Sequence, residues 1–188
     1  MEIRIDVPAG KKAEWVNGVL TLVDETPKDN RPVTDRVKTF EDAVRELGDE
    51  HPFVKEWHLG DGLSADLEAY LKLRIIAAAL NEGWEPKFTT DEYRYYPWFT
   101  LWTEEELAQK SEEWKKEHSL WLFGGGSHSG AACGLAYAFS HYAWSSSFAV
   151  ISARLAVKSE ELAVYFGKQF IDIWAGYVFI PNCESDNK

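Results

Sequence analysis

The chain has 188 residues, 45% hydrophobic and 14% aromatic, enough apolar material for a sizeable core and too much for a disordered segment. Its formal net charge of −11 argues against unaided binding to nucleic acid or insertion at an anionic membrane, since both require a basic face. Two cysteines, Cys133 and Cys183, are too few for a disulfide framework.

Met1 to Val7 alternates Ile3, Ile5 and Val7 with Glu2, Arg4 and Asp6, a period of two that predicts a strand. Ala13 to Val23 alternates again around Asn17-Gly18, a strong two-residue hairpin signal, so residues 1–32 are expected to form a small β-meander. The polar loop Thr26 to Pro32 is the best candidate boundary. No secretory leader is recognisable in MEIRIDVPAGKK, which predicts synthesis in the cytoplasm.

Four helices announce themselves by their caps. Thr39 with Asp42 is a capping-box-like start and Gly48 the stop. Ser64 opens the longest helix, with Leu67, Leu71, Ile75, Ala78 and Ala79 as its expected buried face, ending at Asn81 to Gly83. Thr103 with Glu106 is a full capping box for a helix toward Glu117. Ser159 caps the last helix, expected to run to about Ala175 on Leu162, Phe166, Phe170 and Ile173, with Gly176 ending it and Tyr177–Ile180 forming a final strand. Between the second and third helices, Trp84 to Trp102 reads as a short strand or two with an aromatic loop, and that loop, Tyr93 to Trp102, is more a core-edge cluster than a ligand platform. Ala149 to Val157 resembles a strand.

Ser119 to Ala153 contains no Asp, Glu, Lys or Arg, in a chain of which 27% is charged. Gly, Ser and His interrupt it too often for a membrane span, and it is too aromatic for a flexible linker. A loop-rich sheet region that recognises a partner through rings, hydroxyls and backbone remains. Gly124-Gly125-Gly126 lacks the Lys-Ser/Thr pair of a phosphate loop, and neither Ser127 nor Ser129 fits the G-x-S-x-G elbow. His128 and His141 have no carboxylate in the stretch to orient them, which argues against acid–base catalysis there. His51, His58, Asp61, Asp66 and His118 do not follow a metal-ligand spacing, so neither metal nor cofactor is expected.

Leu122 to Leu155 resembles the C-terminal part of C-type-lectin-like domains of the formylglycine-generating-enzyme type. The matching features are Gly124-Gly125, Gly130, Cys133-Gly134-Leu135, Ala143, Ser145, Ser147 and Arg154-Leu155. Such domains form the receptor-binding ends of variable proteins diversified by retroelements, many of them phage-borne. The chain is also similar, over nearly its whole length, to phage and prophage proteins of gut bacteria, through VKTFEDAVRELG (Val37–Gly48), LKLRIIAAALNEGWEP (Leu71–Pro86), YRYYPWF (Tyr93–Phe99) and SARLAVKSEELAVYFGKQFIDI (Ser152–Ile173).

The elements read above predict an α+β mixed architecture with an N-terminal β-meander over 1–32 and about four helices, and the resemblance implies that 33–188 is a C-type-lectin-like domain, a single domain over 1–188 being the alternative. It implies a non-enzymatic module that binds a glycan or surface protein. Its expected contact residues are Ser127, His128, Tyr137, Phe139, His141, Tyr142, Trp144 and Ser146. Alternation along a strand would let only one parity of this set face the ligand. Two alternatives stay open: a structural virion or mobile-element protein that forms a homo-oligomer through these rings, and a small enzyme or small-molecule-sequestering protein of the host cytoplasm.

Overall fold

The structure, a computed structural model, describes residues 6–9, 11–16, 18–24, 29–87, 89, 91–122, 132–143 and 153–178. The chain divides into two compact units, 1–32 and 33–188. It is a mixed α/β protein with eight α-helices and two small antiparallel sheets among the described residues.

In the first unit, strands β1 (Lys11–Val16) and β2 (Val19–Asp24) pair antiparallel from Lys11↔Asp24 to Val16↔Val19. Gly18 supplies the positive φ, +80°, that such a tight turn requires. The hairpin is thus where the Asn17-Gly18 signal puts it. Of the expected first strand, Asp6 and Val7 are not in strand conformation, and residues 1–5 lie outside the described part.

The second unit is built around α4 (Ala65–Asn81), which follows α1 (Val33–Arg36), α2 (Phe40–Leu47) and α3 (Pro52–His58). Helix α2 starts on the expected capping box: Thr39 accepts from the Asp42 N–H and the Asp42 carboxylate accepts from the Thr39 N–H. In α4 the buried residues are Ala69, Leu73, Ile75, Ile76, Ala77, Ala79, Leu80 and Asn81, so Ile75 and Ala79 of the expected face are buried, whereas Leu67 is half exposed. The buried face is thus displaced from the expected one. Elements pack on α4 from several sides, so a single 3.6-residue stripe cannot describe it.

Strand β3 (Arg94–Thr103) follows, then α5 (Glu104–Ala108), α6 (Glu112–Glu117), β4 (Trp121–Leu122) and β5 (Ala132–Ala143). The sheet order is β3-β5-β4, all antiparallel. The helix expected from Thr103 to Glu117 is two helices. The Thr103 capping box forms, but Ser111 caps a second start by accepting from the Trp114 N–H.

After a 3₁₀ turn at Ala153–Leu155 come α7 (Glu160–Gln169) and α8 (Ile171–Val178). Here too one expected helix is two. Phe170, at φ −115° and ψ 31°, leaves helical geometry while its ring stays buried. These two breaks, together with the short helices α1 and α3, account for eight helices where about four are expected. The strand expected over Ala149 to Val157 reduces, in its described part, to that turn and one bridge, Tyr95↔Val157. Gly176 does not stop a helix. It lies inside α8, where an added Cβ would come within 3.3 Å of the Ala69 Cβ on α4, and the helix runs through Tyr177 and Val178. The main core joins Leu73, Ile76 and Leu80 of α4 to Val37, Val54, Leu155, Val157, Phe166 and Trp174. No helix among the described residues is long and apolar enough to cross a membrane.

Candidate functional site

Strands β3 and β5 form a long two-stranded ribbon, and its register decides which rings reach solvent. From Tyr95↔Tyr142 through Tyr96↔His141 and Pro97↔Ser140 to Trp98↔Phe139 the pairing is regular. The next pair is Phe99↔Tyr137, so Ala138 is an extra residue on β5, a β-bulge. A second register shift between Trp102↔Gly134 and Thr103↔Ala132 leaves Cys133 as the extra residue.

The first bulge inverts the alternation. Tyr137 and Phe139 are two apart on β5 and would share a face in a regular strand, but their partners Phe99 and Trp98 are neighbours on β3 and face opposite ways. Tyr137 turns inward and is 6% exposed. Its Cδ2 lies 2.7 Å from where a Cβ on Gly167 would stand, and the Pro97 Cβ lies 2.6 Å from the same point. The missing side chain at Gly167 lets α7 lie directly on the ribbon. Burial raises the Tyr137 phenol pKa, against a hydrogen bond with Ser140 that lowers it. Tyr137 therefore anchors the ribbon from within and is not the surface contact expected of it.

Phe139 goes the other way. It is 49% exposed and stacks on Trp98, 41% exposed, with ring centroids 5.6 Å apart and planes 9° from parallel. Three pairs along the ribbon, hence on its opposite face, Tyr142 is also exposed; the exposed Tyr93 meets it edge-on at 5.2 Å and the half-buried Tyr95 lies at 6.4 Å. The remaining rings of Tyr93–Trp102 serve packing. Tyr96 is buried against Ala156 and Trp84, with its phenol pKa raised by burial, and Phe99 packs on Trp174 at 5.3 Å. Trp102 meets Trp114 of α6 edge-on at 5.2 Å under the Lys110 ammonium, while Trp114 stacks on His118 at 4.3 Å.

Of the eight expected contact residues, then, Phe139 and Tyr142 are exposed and Tyr137 is buried. For His141 the structure describes the backbone, paired with Tyr96. Ser127, His128, Trp144 and Ser146 lie outside the described residues, as do the Gly124–Gly126 turn and Cys183. The sequence reading leaves Trp98 out of the contact set. The signal that could have found it is YRYYPWF itself, read as a strand of rings instead of a loop.

The site shows no described acid–base or metal-binding assembly. Nδ1 of His51 accepts from the Phe53 N–H at 3.2 Å, serving as the N-cap of α3, and burial depresses its pKa. Nδ1 of His118 lies 2.9 Å from the Trp114 carbonyl oxygen. Among the described residues no group of three or more His, Cys, Asp or Glu is placed to hold a metal ion. Two buried polar residues that the sequence did not flag are Asn81 and Arg94. Asn81 donates from Nδ2 to the Ala156 carbonyl at 2.8 Å and accepts at Oδ1 from the Lys158 N–H at 3.1 Å, fixing the segment that bridges to β3. Comparison of the chain with protein-family models, with curated proteins and with solved structures finds no match.

Proposed function

We propose that the chain is a non-enzymatic binding module of a phage or prophage, and that it holds its ligand on the exposed rings of the β3–β5 ribbon. The observation that carries this reading is the Trp98–Phe139 stack, two large rings lying on each other at the surface of a strand pair held from behind by α7. Soluble proteins expose such rings at a cost, and an exposed apolar patch commonly marks an interaction site. Of the two ligand classes expected, a glycan or a surface protein, the stack suits a glycan better. The C–H faces of pyranoses lie flat on ring faces, and one or two rings suffice, whereas a protein partner requires about 800 Å² on each side. Rigid rings also present contact area at a small entropic cost.

The C-type-lectin-like part of this reading rests on the motifs within 122–155. The expected Ser and His contacts would add hydrogen bonds to sugar hydroxyls around the rings.

The test is a glycan-array screen of wild type, followed by titration of any hit with Phe139→Ala and with Trp98→Ala/Phe139→Ala. Loss of the stack should weaken binding about tenfold or more. Both side chains are exposed, so far-ultraviolet circular dichroism and Tm should show the fold intact. Undiminished binding by the double variant would remove the platform from the site.

A further inference from the structure

Strands β1 and β2 make a sheet of their own, and an isolated two-stranded hairpin is at best marginally stable in water. All six residues of β1 are exposed, Trp15 by 73%, and Val19 and Leu22 of β2 are exposed as well. Val16↔Val19 closes the two-residue turn, so that pair exchanges both backbone bonds. By alternation Glu14 and Lys12 also bond to β2, while the backbone groups of Lys11, Ala13 and Trp15 point away from it. The Lys11 N–H accordingly donates to the Pro8 carbonyl, at 3.1 Å.

This outer edge of β1 carries a self-complementary charge pattern. Lys12 and Glu14 share a face and pair within the strand at 2.6 Å, each side chain about half exposed. Two copies of β1 laid antiparallel about a two-fold axis at Ala13 set Lys12 of each opposite Glu14 of the other. Two ammoniums and two carboxylates then alternate around a square in which no like charges are adjacent. On the other face Lys11 comes opposite Trp15, a ring that favours a cation beside it. The same register matches outward backbone to outward backbone, Ala13 bonding to Ala13 and the Trp15 N–H donating to the Lys11 carbonyl. Strand β2 gives no such instruction: Val19–Val23 is uncharged, so charge selects neither a partner nor a register along that edge.

We propose that the chain self-associates as a two-fold dimer through β1, forming a four-stranded sheet in the order β2-β1-β1-β2. One strand edge buries less than the about 1,200 Å² of a stable interface, so the dimer forms in the micromolar to millimolar range. The surface includes none of the rings of the β3–β5 ribbon, and the proposal does not depend on the glycan reading.

Sedimentation velocity of the full chain, from about 1 μM to about 1 mM, should show wild type in a reversible monomer–dimer equilibrium. Lys12→Glu and Glu14→Lys should each weaken dimerisation about tenfold or more, because both cross-strand pairs become like-charged. An equimolar mixture of the two variants should dimerise about as well as wild type. Between unlike chains every cross-strand pair is again opposite in sign, whereas positions 12 and 14 within each chain stay alike, so the mixture separates the interface from any effect on the hairpin itself. Ala13→Pro should abolish the dimer by removing the outward N–H at its centre while sparing the β1–β2 bonds. Should that variant disturb the hairpin, the mixture still decides. A wild type that stays monomeric throughout, a dimer undiminished by both charge variants or by Ala13→Pro, or a mixture that remains monomeric would each overturn the proposal.

Discussion

Replacing Gly167 by alanine tests whether α7 truly holds the ribbon. In an ordinary helix interior the change would stabilise by about 1 kcal/mol, since alanine is the better helix former. Here the new methyl would stand 2.6 Å from the Pro97 Cβ and 2.7 Å from the Tyr137 Cδ2. Neither neighbour is the loose end of a flexible chain: one belongs to a proline ring in β3, the other to a buried phenol. Restoring ordinary carbon contact, about 3.5–4.0 Å, requires a shift of nearly an ångström between helix and sheet. Overpacking of this kind typically costs about 1–3 kcal/mol. With the propensity gain subtracted, Gly167→Ala should destabilise by up to about 2 kcal/mol and lower Tm by up to about 8 °C for a chain of this size. Thermal unfolding followed by near-ultraviolet circular dichroism measures it. The Gly167→Ala/Tyr137→Ala pair should show a coupling of about 0.5 kcal/mol or more, because the truncated Tyr137 no longer meets the methyl. A Tm raised by the full helix-propensity gain, about 2–4 °C, would refute the contact between α7 and the ribbon, and with it the reason given for the burial of Tyr137.

Asn81→Ala should cost about 2–4 kcal/mol in urea unfolding, because it leaves a buried carbonyl at Ala156 and the Lys158 N–H without their partner. Asn81→Asp should do no better, as a carboxylate cannot donate to Ala156; a neutral Asp variant would contradict the assignment. His51 gives a pH dependence whose sign follows from its depressed pKa. As pH falls through the ordinary histidine value near 6.5, the unfolded chain takes up a proton that the half-buried, N–H-accepting ring resists. Stability is therefore complete above that value, declines below it, and stops declining beneath the native pKa. His51→Asn keeps a capping acceptor without the titration, so its stability should slope less between pH 7 and 5, and equal slopes would exclude His51 as the cause.

Much of the helical part was legible because helix ends carry local chemistry. Thr39, Thr103 and Ser159 each accept the backbone N–H that their positions imply, and the Asn17-Gly18 turn lies where its residues put it. The two unforeseen breaks differ in kind. Ser111 ahead of Glu112-Glu113 is itself a cap signal, hidden by the stronger one at Thr103. Phe170 carries none, and only the burial of its ring on Phe166 marks the place. The face of α4 was misjudged for a related reason: a helix covered from several sides has no single stripe to read.

The candidate site was legible in composition and illegible in direction. A strand rich in rings can be recognised between Ala132 and Ala143, and Phe139 and Tyr142 do lie at the surface. Which rings face outward depends on Ala138, a small residue with no local signature, whose extra place in β5 shows only when the partner strand is aligned. Without it, Tyr137 and Phe139 would point the same way, and either the helix contact or the exposed stack would be lost. The bulge gives the ribbon both: Pro97, Phe99 and Tyr137 grip α7 and α8, while one step away Trp98 and Phe139 reach the surface. Rings held by such a backing would lose little freedom on binding the proposed ligand, which is the advantage of a preorganised surface. The same backing makes stability and recognition separable, since Phe139→Ala removes a ring from solvent whereas Gly167→Ala disturbs the grip beneath it.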